Sequence, residues 1–460
     1  MKKQSIYRKA LMLAVPMMIQ NGITNAVSLV DSVMVGSLQT ECMTGVSIVG
    51  QLLFVFNLSI FGGISGPGIF SAQFYGKGDL EGVRGSFRMK LWIGITCMLL
   101  GILAFLCLGD TLIGLYLHGN SEILDKELTM EYGLQYLRII LLQILPFVII
   151  QCYASTLRET GEAFMPMTAG VISVIVDVVL NYCLIGGHFG FPRLEVKGAA
   201  IATVIARIVE LLIIVIGAHT RKKRFPFLEG IYRTILVPRD LFWKMLKKGT
   251  PILMNEFLWA GSIAVLTQCY SMRGLEIVAG LNIANALCNL FNVVFVALGN
   301  AVGILIGQML GASKYKQAKE DSVHLMWFTA FICLFLVAIL IPAAFLFPKF
   351  YNATEEVRNY GKCFIMLTAC FFPLQGFLNS LYFTLRSGGK TVITFLFDSG
   401  YSWVIAVPLA FLLCKFSALP ILVIFAIVQC ADFIKVTIGY IMIRKGIWLT
   451  NLADEGEKKD

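Results

Sequence analysis

The feature of this chain that most constrains its fold is an internal repeat set in a sequence almost apolar enough to lie wholly in lipid. Asn57, Gly68, Ile69, Gln73 and Gly76 recur, at one constant offset, as Asn292, Gly303, Ile304, Gln308 and Gly311. Further on, Leu157, Arg158 and Gly161 recur as Leu385, Arg386 and Gly389. Of the 460 residues 57% are hydrophobic and only 14% charged, a balance that a soluble protein with an ordinary surface does not carry. Runs of ~20 or more mostly apolar residues can each cross a bilayer as a helix. Twelve such runs are read: about 10–35, 46–72, 88–108, 131–155, 164–186, 197–218, 246–270, 280–308, 322–347, 358–383, 391–414 and 418–443. The expected fold class is an all-α membrane protein of twelve transmembrane helices in two six-helix repeats. Its parts are an N-terminal half over 1–218, a joining loop over 219–245, a C-terminal half over 246–445 and a tail over 446–460.

An even number of helices per half starts both halves from the same side, so the repeats are parallel, related by an axis along the membrane normal. Doubled bundles of this kind are the plan of many secondary transporters, and the repeat predicts transport. Most of the 38 Lys and Arg residues fall on the side that carries the N-terminus. By the positive-inside rule both termini are expected in the cytoplasm, with the chain in the cytoplasmic membrane. Lys2, Lys3, Arg8 and Lys9 before the first run imitate a signal peptide. That run is long, polar on one face and without a small-residue cleavage site, so it reads as a mature helix. The net charge of +10 is concentrated in inside loops, above all Arg221 to Arg224 and Lys244, Lys247 and Lys248. Its expected partner is anionic lipid headgroups, not nucleic acid.

Twelve cysteines are scattered without a CxxC pair, which argues against a metal site or a disulfide framework. His118, His188, His219 and His324 fall at or near helix ends and form no evident proton relay. No nucleophile, base and orienter constellation lies at a consistent depth, so no enzyme is expected. No cofactor is expected beyond a coupling ion, and the chain is expected to be a monomer.

Ionisable groups at membrane depth are costly and face the bundle interior or water, which makes each a functional candidate. They are Asp31, Arg138, Asp177, Arg207, Glu210, Glu256, Asp398, Asp432 and Lys435. Arg207 with Glu210, and Asp432 with Lys435, stand three apart on one helical face and can neutralise each other locally. Arg138 lies near an outer helix end and can snorkel. Asp31, Asp177 and Glu256 have no such neighbour in sequence. On helix 1, Asn21, Thr24, Asn25, Ser28, Asp31 and Ser32 fall within about a 120° sector, a polar stripe ending in an acid. Interhelical hydrogen bonding is the plain alternative for the Asn and Ser of that stripe. Asp31, the helix 5 residues Asp177 and Asn181, and Thr203 of helix 6 differ in height by less than ~8 Å. Such a set suits a bound Na⁺, which seeks oxygen ligands, or a proton held on a carboxylate. Arg207, a turn from Thr203, can instead pair with Asp177 and silence it. On helix 8, Asn282, Asn285, Asn289, Asn292 and Asn300 fall within about an 80° sector, either a polar cavity wall or interhelical glue. Gly62, Gly63, Gly66, Pro67 and Gly68 are expected to bend or thin helix 2, while Pro16, Pro146, Pro251, Pro373 and Pro408 interrupt others.

Taken in order, several motifs make the chain resemble the multidrug and toxic compound extrusion (MATE) family over nearly its whole length. They are Pro16 followed by Val30-Asp31-Ser32-Val33-Met34-Val35-Gly36; Gly68-Ile69 with Gln73 and Gly76; and Leu157-Arg158-Glu159-Thr160-Gly161 with Pro166 and Asn181-Tyr182. Gly198-Ala199-Ala200-Ile201-Ala202-Thr203, Pro251 with Glu256, and Leu385-Arg386-Ser387-Gly388-Gly389-Lys390 complete the set. The resemblance implies a V-shaped protein of two six-helix lobes that exports bulky, often cationic organic compounds, drugs among them, in exchange for Na⁺ or H⁺. It implies that Asp31, Asp177, Asn181 and Thr203 form an N-lobe cation site, able to hold Na⁺, and that Glu256 is the C-lobe acid. Candidate substrate contacts are Asn21, Asn25, Ser28, Asn57, Glu256, Asn285, Asn289 and Asn292. The chain departs from the family pattern twice. The helix 5 order is Asp177 then Asn181, where Asn then Asp is expected, and helix 10 offers Gln375 or Asn379 where some members carry a carboxylate. The rival reading within the superfamily is a lipid-linked oligosaccharide flippase, which needs a strongly basic cavity, whereas the buried bases read here are few, chiefly Arg207. A channel needs neither two hinged halves nor distinct buried acids, and a receptor is expected to carry a soluble signalling domain, for which the largest loop, about 219–245, is too short.

Overall fold

The computed structural model describes residues 5–36, 38–117 and 125–454, apart from the side chains of residues 27–33. Twelve helical stretches occupy the twelve apolar runs and are numbered with them. They are α1 (Ile6–Gly36), α2 (Thr40–Lys77), α3 (Leu80–Leu117), α4 (Lys126–Glu159), α5 (Phe164–Gly186), α6 (Glu195–Thr220), α7 (Arg239–Ser271), α8 (Leu275–Gly311), α9 (Tyr315–Phe350), α10 (Glu355–Ser387), α11 (Thr391–Phe416) and α12 (Ile421–Lys445). Among the described residues, α2 to α12 make 11 helices long and apolar enough to cross a membrane, and no strand occurs. Hydrocarbon offers no partner to a backbone N–H or C=O, so each apolar run closes its own hydrogen bonds as a helix.

The prolines behave differently from one another. Pro16, Pro67, Pro251 and Pro373 lie inside α1, α2, α7 and α10 without ending them, and the glycine-rich stretch of α2 stays helical throughout. At Pro146 the ladder does change: a 3₁₀ turn at Leu141–Gln143 precedes it within α4. Pro408 follows π-helical turns at Leu396–Gly400 and Ser402–Ala406 in α11. A proline ring removes one N–H and crowds the carbonyl four residues back, and these local rewindings accommodate it.

By contacts the chain divides into two compact units, which do not follow its midpoint. One holds Met1–Met18, Ala72–Asp79 and Lys244–Asp460; the other holds Ile19–Ser71 and Leu80–Trp243. In the second, α5 and α6 run antiparallel. The Ser173 hydroxyl donates to the Ala206 carbonyl at 2.8 Å, and the Leu194 amide to the Leu184 carbonyl at 2.8 Å. The segment after α6 is strapped along α3. Arg84 donates to Phe227 O at 3.1 Å, Arg88 to Ile231 O at 3.1 Å and Trp92 to Ile235 O at 3.0 Å, while Phe225, Phe227, Leu228 and Ile231 are buried. Arg221 to Arg224 remain exposed at its start.

In the unit that holds α8 to α12, Phe364, Phe372, Leu340, Tyr270 and Phe425 belong to one apolar core. There the repeated motif packs against itself. A Cβ on Gly76 would stand 2.0 Å from the Gln308 carbonyl oxygen, and one on Gly311 1.8 Å from that of Gln73. Each glycine of the Gln-x-x-Gly pair therefore lies under the backbone of the other motif, an approach only glycine permits. The Gln73 side chain then collects three chain segments: it donates to Ser387 O at 2.8 Å and Thr450 O at 3.2 Å, and accepts from the Leu452 amide at 2.6 Å. The tail is thereby anchored, with Trp448 fully buried, Gly388 against the Trp448 carbonyl, and Lys77 paired with Asp454 at 3.0 Å.

Candidate functional site

Among the described residues, three gatherings of polar side chains stand out inside the helices. The first is the α5–α6 pair. Asp177 is 8% exposed and Asn181 2% exposed, both far below what such polar residues ordinarily keep. The bonded levels Ser173 to Ala206 and Leu184 to Leu194 fix the antiparallel register, and a Cβ on Gly198 would lie 2.7 Å from the Leu184 carbonyl oxygen. That register sets Thr203 at the height of Asp177. The Thr203 hydroxyl donates to Ala199 O at 3.1 Å, back along its own helix, which leaves its lone pairs available. Arg207, the alternative partner for Asp177, instead donates to Glu210 at 2.7 Å. The i,i+3 spacing read in the sequence forms that pair. Asp31 and Ser28 sit in α1, but their side chains lie outside the described residues.

The second place was not singled out in the sequence. Lys90 of α3, fully buried, donates to Glu159 of α4, to Ser155 Oγ at 2.8 Å and to Thr156 Oγ1 at 2.9 Å; Ser155 also donates to the second Glu159 oxygen at 2.7 Å. All three ammonium protons thus find oxygen, the condition for keeping a charge out of water. Gly68 is what makes room: its Cβ would stand 2.5 Å from Glu159 Oε1. The neighbouring Arg158 donates to Gln20 of α1 at 2.8 Å.

The third gathers side chains from α7, α10, α11 and α12. Asn255 donates to Asp398 Oδ2 at 3.1 Å and to Tyr382 Oη at 3.3 Å, and accepts from the Ser399 hydroxyl at 2.7 Å and amide at 3.2 Å. Lys435 donates to Asp398 Oδ1 at 2.7 Å and lies over the rings of Phe397 and Tyr401, 5.3 and 5.6 Å from their centroids. The expected Asp432–Lys435 pair is thus met without a direct bond: Lys435 bonds Asp398 and stays within electrostatic reach of Asp432. Asp398, within the π-helical turn of α11, takes the ammonium, while Asp432 accepts from Gln375 at 2.8 Å. Gln375 of α10 thus carries an amide to a carboxylate that α12 supplies. Glu256, beside Asn255, is half-buried and within electrostatic reach of Arg386 and Asp398.

The asparagines of α8 form no buried seam. Asn282, Asn285 and Asn289 are exposed, while Asn292, which donates to Asn289 at 3.1 Å, and Asn300 are half-buried. Interhelical glue requires burial between helices, which Asn282, Asn285 and Asn289 do not have. Asn21 and Asn57 are exposed and Asn25 half-buried on α1 and α2.

A family model described as MatE matches residues 16–183 and 251–412, taking in both halves of the repeat and most of the chain. The chain belongs to the MatE family. This MatE protein is 26% identical over 426 residues to the "Probable multidrug resistance protein YoeA" of Bacillus subtilis, covering 91% of this chain and 89% of that protein. It is 24% identical over 427 residues to the "Probable multidrug resistance protein NorM" of Thermotoga maritima, covering 91% and 88%. The solved structure of a Vibrio cholerae MATE transporter superposes with a TM-score of 0.84 at 17% identity over 98% of each chain, a likeness of fold.

Within this MatE protein the sheltered bases are more numerous than the sequence suggested: Lys90, Arg88 and Arg386 are buried, while Lys435, like Arg207, is half-buried. Lys90, Arg88, Arg207 and Lys435 each meet a carboxylate of the chain itself. One signal for the third cluster was present: Asn255 is the repeat mate of Gln20, and Arg386 of Arg158. Of the second cluster the sequence analysis named only Glu159, within the Leu157–Gly161 motif, because Lys90 falls at the edge of an apolar run.

Proposed function

We propose that this MatE protein is a secondary active multidrug exporter that moves bulky, often cationic organic compounds by alternating access, in antiport against Na⁺ or H⁺. The observation that carries this reading is the buried pair Asp177 and Asn181, level with Thr203 on the facing helix. A carboxylate kept inside a membrane helix pair is useful as the holder of a cation or a proton. Asp31 is the fourth member of that site, and Glu256 is the acid of the other lobe. The names of the two bacterial relatives point to the same cargo. Asn285, Asn289 and Asn292 on the open face of α8, with Asn21, Asn25, Ser28 and Asn57 on α1 and α2, are the proposed substrate contacts. In this reading the lobes are 1–218 and 246–445. The monomer sits in the cytoplasmic membrane with both termini inside and rests Arg221 to Arg224 on anionic headgroups.

Coupling requires that ion and substrate differ in their affinity for the two conformations, since a ligand that binds both equally shifts nothing. A carboxylate that holds a cation in one state and loses it in the other meets that condition. The test is efflux of a fluorescent organic cation from inside-loaded proteoliposomes under an inward Na⁺ gradient at equal pH, and separately under an inward H⁺ gradient without Na⁺. Efflux driven by one gradient and lost in Asp31→Asn and Asp177→Asn is the expected result. Movement of a lipid-linked oligosaccharide with no gradient-driven efflux of any cation would replace this reading with the flippase.

A further inference from the structure

The cluster built on Asp398, like the one built on Glu159, contains a positive charge of the chain itself brought in from a neighbouring helix, and here that charge also lies against two aromatic rings. Lys435 of α12 places its ammonium 2.7 Å from Asp398 Oδ1, with 12% and 19% of the two side chains exposed. The remaining Asp398 oxygen is taken by Asn255 at 3.1 Å, and Asn255 is itself clamped by Ser399. Aromatic faces of Phe397 and Tyr401 cover the ammonium, supplying the weak attraction that rings offer a cation. Asp398 lies within the widened turn at Leu396–Gly400, and such turns are frequent at functional sites. The charged groups around the pair are Glu256 of α7, Arg386 of α10 and Asp432 of α12. Three acids therefore face two bases within one unit.

From this geometry we infer that Lys435 is a tethered cation: its ammonium occupies the place beside Asp398 that a mobile Na⁺ would otherwise fill. It takes Asp398 out of the acids that can hold a coupling ion and leaves that role to the acids named above. The inference rests on the antiport reading above for this consequence, that Asp398 holds no coupling ion. The chemistry is that of exchange between cations at one carboxylate. An ammonium and a small monovalent ion compete for the same oxygens, and a tethered one competes at very high effective concentration.

Removal of the tether tests it. The melting temperature of purified full-length protein is followed while Na⁺ replaces N-methylglucamine at constant ionic strength. A ligand that binds only the folded state raises Tm with its concentration. Lys435→Ala, which removes the charge and opens room beside Asp398, is expected to acquire a Na⁺-dependent rise in Tm that wild type lacks at this site. The rise should vanish on adding Asp398→Asn, while Lys435→Arg should stay as wild type. A folded Lys435→Ala with no new Na⁺ response overturns the inference, as does a wild-type Na⁺ response that Asp398→Asn abolishes. Should Lys435→Ala fail to fold, the double variant Asp398→Asn/Lys435→Ala removes both charges, and it must keep the wild-type Na⁺ response for the inference to stand. These melts involve no drug movement, so failure of the exporter reading would show in the efflux assay and leave this result unchanged.

Discussion

Lys90 shows how much a single side chain can depend on its surroundings. It is fully buried yet satisfied by one carboxylate and two hydroxyls, and Gly68 leaves the space that Glu159 fills. Removing one partner strands the other charge, a change that costs about 3–5 kcal/mol, whereas replacing both by apolar groups of similar volume can be nearly neutral. Lys90→Met and Glu159→Gln are therefore expected to lower the melting temperature sharply, and Lys90→Met/Glu159→Met less than either. A double-mutant cycle of thermal unfolding checks this, and additive losses would contradict it. The same logic separates the pairs read from spacing. Arg207 and Glu210 meet at i,i+3 as the sequence suggests, while Lys435 makes its direct bond to a carboxylate on another helix and reaches Asp432 only through space. Spacing says which side chains can meet along one helix and is silent on what a neighbouring helix offers.

At the scale of elements, the helices themselves were legible because the apolar runs and the helical requirement of lipid leave few choices. Their winding was not. The 3₁₀ turn before Pro146 and the π-helical turns before Pro408 arise where a proline removes a bond and neighbouring helices stabilise the rewound segment, whereas Pro16, Pro251 and Pro373 leave their helices unbroken. The crossing of the two Gln-x-x-Gly motifs makes a sharp prediction. Gly76→Val or Gly311→Val puts carbon against a carbonyl oxygen at 2.0 or 1.8 Å before any relaxation, so the α2 end must leave α8. Expression with monodisperse purification is expected to fail for both, while valine at the exposed helical glycine Gly50 on α2, which has open space around it, is expected to be tolerated. The anchored tail predicts that Trp448→Ala, which empties a fully buried site, costs about 3–5 kcal/mol, read as a lowered melting temperature.

For the whole molecule, the testable property is which polar faces water reaches. Asn285 and Asn289 are exposed on α8, whereas Asn255 is 3% exposed within its network. In a variant stripped of its 12 native cysteines, Asn285→Cys and Asn289→Cys are expected to react with a hydrophilic thiol reagent far faster than Asn255→Cys. A bound organic cation is expected to slow the first two. Equal rates at all three positions would remove α8 from the proposed cavity wall.

The sequence by itself determined that this is an all-α membrane protein built from a doubled set of helices, because hydrophobic length and the ban on unpaired backbone in lipid act locally. It also determined the family, whose motifs are short and ordered along the chain. Tertiary structure alone decided that the start of α1 and the end of α2 join the helices of the second half, and that the repeated glycines exist to lie under each other's motifs. It alone decided that Asp398 is the partner of Lys435 and that Glu159 is held by Lys90. Each of these is a choice among partners on different helices, separated by scores of residues, and no local pattern encodes which helix faces stand opposite.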